Sequence, residues 1–293
     1  MIASITLSDP ARGLSSVVWP RAGIAYQGHE VTAAVREVAQ DSANADGQFD
    51  TTQWLSSAAV TLNLVLYSGT RALLDEIAQY LLPWTRPYLI VDDGEWAAPR
   101  RIQLRFDSHS HPIETGVGAQ RKVQYAWKAP RGLWEDTARQ VFEIAADVPD
   151  TTGLAFTAAA GVAVTAALGY RFPASTASGD TLAAVGGNAR PDWKAKLYGP
   201  AVGPKLSRDD TGQSVVFKDS LVLQAGQYVE LDSAALSALL LSDPDASRLA
   251  DLDFGQTKWF PLDPGVNKLR YHATSGTAAG SVCELTVTPV WMP

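Results

Sequence analysis

The sequence predicts a mostly β protein with minor α content, divided into two domains. Two features of pattern say so: segments in which apolar and polar residues alternate at the period of a half-buried strand, and short strand-like runs in the second half separated by Gly, Pro, Asn and Asp turns. The third is size, since 293 residues exceed the roughly 100 to 200 of one domain and leave each half enough chain for its own core.

Three alternating segments lie in the first half. Val60, Leu62, Leu64 and Leu66 oppose Thr61 and Asn63; Ile102, Leu104 and Phe106 oppose Arg101, Gln103 and Arg105; Val123, Tyr125 and Trp127 oppose Lys122, Gln124 and Lys128. Alternation, as opposed to continuous apolar runs, points to antiparallel sheets. Between the first two, Leu73, Leu74, Ile77, Tyr80 and Leu81 recur at helical spacing, which predicts a helix over about 70–82 that Pro83 stops. A weaker helical pattern over Leu133–Ala145 uses Trp134, Ala138, Val141, Phe142 and Ile144.

Turn formers in Asp147–Gly153, followed by an Ala-, Gly- and Thr-rich stretch, place the domain boundary near 150, giving domains 1–150 and 151–293. In the second domain the expected strands are Trp193–Tyr198, Ser214–Lys218, Gln227–Leu231, Lys258–Leu262, Lys268–His272 and Val282–Trp291, at the spacing of a sandwich or jelly roll. Ser233–Leu241, rich in Ala and Leu, fits a helix by propensity and a sandwich strand equally well.

Charge and motifs exclude several function classes. With 24 basic and 31 acidic residues, a net charge of −7 and no block of one sign, binding to a phosphate backbone has little to draw on. The N-terminus lacks the pattern of a signal peptide, and no window reaches the roughly 18 apolar residues of a membrane span, so the expectation is synthesis in the cytoplasm without an anchor. Cys283 stands alone and is read as a small hydrophobe. His109 and His111 would share a strand face as metal ligands can, but Pro112 interrupts and a third ligand is missing. Asp243, Asp245, Asp251 and Asp253 resemble a calcium loop without its glycine or closing glutamate, and are read as a solvated turn. Asp92–Asp93 and Asp209–Asp210 are adjacent pairs that a strand would send to opposite faces, so hydrolase chemistry has no constellation; no cofactor, metal or catalytic residue is expected. Among nine tryptophans, Trp127, Trp259 and Trp291 fall in alternating strands, whereas Trp19, Trp54 and Trp96 sit beside turns and are the candidates for partner contacts.

The order of these motifs resembles the siphophage distal tail protein family. The N-terminal part of the likeness runs through Gln53-Trp54-Leu55, the strand Val60–Tyr67, the helix Leu73–Leu82, Pro87–Val91 and Arg101–Phe106. The C-terminal part runs through Gly187-Asn188, Pro191, Trp193–Pro200, Ser214–Phe217, Leu223–Asp232 and Trp259–Asn267; it departs from the family at Ser233–Asp253. The resemblance implies a ring-forming N-terminal β domain with one helix and a C-terminal galectin-like β-sandwich. It also implies a structural, non-enzymatic role in the virion at the phage tail tip. There a hexameric ring of identical chains would join the tail tube protein to tail-tip or fibre proteins around a channel for DNA. On that reading the strands carrying Val60, Leu62, Leu64, Leu66, Arg101, Gln103 and Arg105 are the expected subunit contacts. Exposed strand edges would find partners in neighbouring copies by a rotation that closes. The rival reading, from the sandwich pattern and the tryptophans near turns, is a carbohydrate-binding module for the host surface.

Overall fold

The computed structural model describes residues 2–36, 40–41, 48–49, 54–67, 71–106, 113–115, 120–146, 180–240, 246–277 and 281–293. The chain forms two compact units, Met1–Ala138 with Val290–Pro293, and Arg139–Pro289. The division expected at 150 falls at 138, because the segment just after it is a strand of the second unit.

The first unit contains β1 (Ser4–Asp9), β2 (Leu14–Trp19), β3 (Ile24–Arg36), β4 (Gln40–Asp41), β5 (Gln48–Phe49), β6 (Trp54–Tyr67), helix α1 (Arg71–Ala78), β7 (Tyr88–Asp92), β8 (Arg100–Gln103), β9 (Ile113–Thr115), β10 (Gln120–Ala129) and β11 (Trp134–Asp136). One sheet runs β3-β6-β10-β9, and another runs β2-β1-β7-β8-β11 and ends on Val290–Trp291. The alternation in the sequence decides which side of each strand is inside. Val60, Leu62, Leu64 and Leu66 are at most 2% exposed, as are Val123, Tyr125 and Trp127, and they share one core with Ile5, Leu7, Leu89, Val91, Ile102 and Leu104. Each such aliphatic side chain contributes about 2 kcal/mol relative to exposure.

Helix α1 is shorter than its apolar pattern, which spans 70–82. Past Ala78 the amides of Gln79, Tyr80 and Leu81 donate three residues back, to Glu76, Ile77 and Ala78, so the last turn tightens and ends before Pro83. Ile77 and Tyr80 still reach the core, and the Tyr80 hydroxyl lies 2.9 Å from Ser16 Oγ.

The helix expected over Leu133–Ala145 is not formed; β11 and β12 (Gln140–Ala145) occupy it. Phe142, Ile144 and Ala146 point inward at a period of two while Val141 is 56% exposed, and the whole strand pairs with a partner more than a hundred residues away. Long-range pairing overrides local helical spacing here.

The second unit continues with β13 (Asp180–Val185), β14 (Trp193–Tyr198), β15 (Ala201–Arg208), β16 (Gln213–Val216), β17 (Val222–Leu223), β18 (Tyr228–Asp232), β19 (Ser237–Leu240), β20 (Ala246–Ser247), β21 (Gly265–Ser275) and β22 (Val282–Val287); the chain then returns to the first unit with β23 (Val290–Trp291). Its sheets run β12-β22-β14-β18-β19-β20 and β13-β21-β15-β16, with β17 also on β15, and their inner faces enclose one core around Trp193, Leu206, Leu231, Tyr271 and Leu285. This is a β-sandwich. Of the run Ser233–Leu241, residues 233–236 form a turn, with Leu236 at φ 50°, and 237–240 form strand β19, while Leu241 lies outside the described residues.

Lys258–Leu262, expected to be a strand, has no regular secondary structure and joins no ladder. Pro261 has no N–H to give, and the segment is held by other means: Phe260 and Leu262 are buried, and Trp193 Nε1 donates to the Phe260 carbonyl at 2.8 Å.

Candidate functional site

The strands expected to make subunit contacts, β6 and β8, lie inside their sheets. β6 lies between β3 and β10, and its Val60, Leu62, Leu64 and Leu66 side chains fill the core, so neither its edges nor that face is free. β8 is flanked by β7 and β11. Arg101 on it pairs with Glu135 at 3.3 Å and lies over the Tyr88 ring, and Gln103 donates to the Tyr88 hydroxyl at 3.4 Å. Arg105 alone of the seven is exposed, on a backbone bridge to Lys128. The physical reason is that alternation reports which face is buried and is silent about sheet order.

Among the described residues the outer strands of the first unit's two large sheets are β2 and β23 in one, β3 and β9 in the other. β3 is thirteen residues long, and β2 displays Val17 at 50% exposure. These edges carry the unpaired backbone groups that invite another strand.

The candidate tryptophans are partly structural. Trp19 packs on the core with its ring 5.9 Å from Tyr26, and the Tyr26 hydroxyl lies 2.6 Å from His29 Nδ1. Burial lowers the His29 pKa, against a smaller opposing pull from Asp93. Trp96 packs on the core as well, and the Arg100 guanidinium sits between two indoles, 4.3 Å from the Trp96 centroid and 3.8 Å from that of Trp291. Trp54 pairs with Arg36 through the backbone. Among the described residues the most open aromatic side chain is Trp84, 72% exposed beside Pro83, which its sequence pattern does not single out.

In the second unit the charged groups converge on Arg208, whose residue is only 4% exposed. It donates to both Asp210 oxygens, to Asp263 Oδ2 at 2.7 Å and to the Pro261 carbonyl at 2.6 Å, while Arg190 takes Asp263 Oδ1 at 2.7 Å. The hydrogen bonds raise the Arg208 pKa and hold Asp210 and Asp263 below the ordinary carboxylate value. Asn267, fully buried, ties the same turn by accepting from the Asp263 amide and donating to the Asp263 and Gly265 carbonyls. Gly265 at φ +98° supplies the turn that other residues would resist.

Concave features occur among the described residues of this unit. A cleft of about 430 Å³ opens on the solvent side of β15 and β21, and one of about 250 Å³ is lined by Trp259, Leu236, Arg190 and Asp192. Among the described residues no three His, Cys, Asp or Glu groups gather as metal ligands. His109, His111, Asp243 and Asp245 lie outside the described residues, while Asp253 accepts from the amide of Gly255 in a turn. Cys283 is fully buried, and burial pushes its thiol pKa far up, so it holds no reactive thiolate. No helix among the described residues is long and apolar enough to cross a membrane.

Two antiparallel β units, one with a single short helix and one a β-sandwich, define the fold class, and the comparisons say which proteins share it. Residues 186–291 match the family described as siphovirus-type tail component, C-terminal domain. The resemblance to the siphophage distal tail proteins thus rests on a family match over residues 186–291 and on fold over the whole chain. The whole chain shares its fold with the SPP1 phage Dit (gp 19.1) protein, described as a paradigm of the hub adsorption apparatus in phages infecting Gram-positive bacteria, at TM-score 0.64, 13% identity and 98% coverage of both chains. It is also similar to a chain of the phage P2 baseplate in its activated conformation with Ca, at TM-score 0.50 and 10% identity, covering 99% of this chain and 98% of that one. No curated protein sequence matches it.

Proposed function

We propose that this chain is a non-enzymatic hub subunit of a phage tail tip, whose first unit assembles with identical copies into a closed ring, hexameric as in the resembling family. The ring would connect the tail tube protein with tail-tip or fibre proteins and leave a channel through which DNA passes without specific binding. The observation that carries this reading is the likeness in fold to a phage hub protein along 98% of both chains, together with the tail component domain at 186–291. The open edges of β2 and β3 support it and replace β6 and β8 as the contact strands. A net charge of −7 suits a channel wall that does not hold DNA.

The test is assembly. Purified protein, examined by light scattering and negative-stain electron microscopy, is expected to form closed rings, and Val17→Lys, a charge on an open edge, is expected to shift the population toward monomers without lowering the melting temperature. Wild-type protein that stays monomeric at high concentration, both alone and with the tail tube protein added, overturns the reading.

A further inference from the structure

We propose that the 430 Å³ cleft of the second unit binds an acidic sugar, a hydroxyl-rich ring bearing one carboxylate or phosphate. The proposal goes beyond the assembly reading and stands or falls apart from it.

The cleft is built by three separate stretches of chain. Its sheet side comes from β15 and β21, where Lys205 and His272 are direct cross-strand partners facing away from the core residues Leu206 and Tyr271. Opposite them, Asp219 follows β16 and Asp253 with Gln256 comes from the turn before Lys258. The depth depends on Gly203, at φ +56°. A Cβ there would lie 2.5 Å from Asp219 Oδ1 and 3.0 Å from Thr274 Oγ1, so any other residue would close this part of the floor. The two carboxylates are positioned in advance: Asp219 Oδ1 accepts from Thr274 Oγ1 at 2.7 Å, and Asp253 accepts from the Gly255 amide at 3.0 Å and Gln256 Nε2 at 2.8 Å. Each keeps lone pairs beyond these bonds.

The lining alternates donors with acceptors, which is what vicinal hydroxyls require, since each hydroxyl both gives and accepts a hydrogen bond. The volume lies within the range of small-ligand sites, and the polar walls disfavour an apolar guest. Lys205 forms no salt bridge among the described residues, although it is only half-exposed and lines the cleft. The other ammonium of the lining, Lys218, is held by the Ala250 carbonyl at 2.8 Å, so Lys205 is the cation left for a ligand and calls for one acidic group on it. The carboxylates across from it argue against a guest with several acidic groups, such as a nucleoside triphosphate.

The experiment titrates the full chain, by isothermal calorimetry and by chemical-shift changes at the cleft, with galacturonate, glucose 6-phosphate, glucose and inorganic phosphate. At least one acidic sugar is expected to bind at the cleft, about tenfold more tightly than glucose or phosphate, the size of one charge-assisted hydrogen bond. Which of the two acidic sugars binds identifies the acidic group. Lys205→Met is expected to remove that tenfold preference with the melting temperature unchanged, and Thr274→Val to weaken both acidic and neutral sugars by freeing Asp219. Absence of binding by either acidic sugar, inorganic phosphate binding as tightly as they do, or an unaltered preference in Lys205→Met overturns the proposal.

Discussion

Arg208 and Asp263, fifty-five residues apart, meet in a 2.7 Å ion pair that fastens the end of β15 to the Asp-Pro-Gly turn before β21. Its surroundings differ on the two sides, since the Arg208 side chain is 5% exposed and that of Asp263 38%. The arginine is the partner that cannot return to water without unfolding, so losing its anions is what costs stability.

Asp263→Ala is expected to destabilise the second unit by about 1 to 2 kcal/mol, since Asp210 and the Pro261 carbonyl remain on Arg208. Arg208→Met, which keeps the stem and removes the charge, should cost a similar amount by stranding the two acids near each other. Urea denaturation followed by tryptophan fluorescence checks both.

The same cluster fixes the acid limit. Asp210 and Asp263 sit below their ordinary pKa because Arg208 donates to them, so their contribution is present above the unfolded carboxylate value, near 4, and is lost as pH falls through the lower folded values. The melting transition of the second unit should be flat from pH 7 to about 5 and fall below about 4, whereas the first unit, with partly buried His29 held below its ordinary pKa, loses stability as pH falls below about 6.5. In Asp263→Asn the fall should be shallower, and a curve identical to wild type would refute the assignment.

Trp291 holds the last strand of the first unit in place. It stacks on Arg100, donates from Nε1 to Asp136 at 2.8 Å and pairs with Trp134 across the strands. Trp291→Ala is expected to cost that unit about 2 to 3 kcal/mol, from lost ring burial and the cation–π contact. A substitution in the first unit should leave the acid profile tied to Asp263 unchanged.

Core and edge positions of the first unit should respond in opposite ways. Leu62→Ala, fully buried in β6, is expected to lower stability by about 2 to 5 kcal/mol, whereas Val17→Lys on the open edge should change assembly and leave stability within about 0.5 kcal/mol. Equal loss of stability in both would show that β2 is covered.

Strands were legible where one face is buried and the other wet. β6, β10, β14 and β22 announce themselves by alternation, as Val123, Tyr125 and Trp127 against Lys122, Gln124 and Lys128 illustrate. β15 does not, because Leu206, Ser207 and Arg208 are all buried and Gly203 and Pro204 look like a turn. β3 was hidden by Gly28, where its register shifts. β12 satisfied helical and strand spacing together, and only its partner β22 decides between them. The candidate surfaces were the least readable part. Residues 203, 219, 253 and 272 share a cleft only because three turns bring them there, and an open edge is a property of sheet order, which no local window contains.

The pairing of β23 with β11 makes the sandwich an insertion: residues 139–289 are spelled out between two parts of one folding body. During synthesis that body must wait, its outermost ladder lacking Trp291 and leaving Arg100 with one indole instead of two, until the whole inserted unit has left the ribosome. If the ring proposal holds, a truncated chain lacks the ladder that finishes the body meant to enter it, so chain completion becomes a check on which copies are fit to assemble.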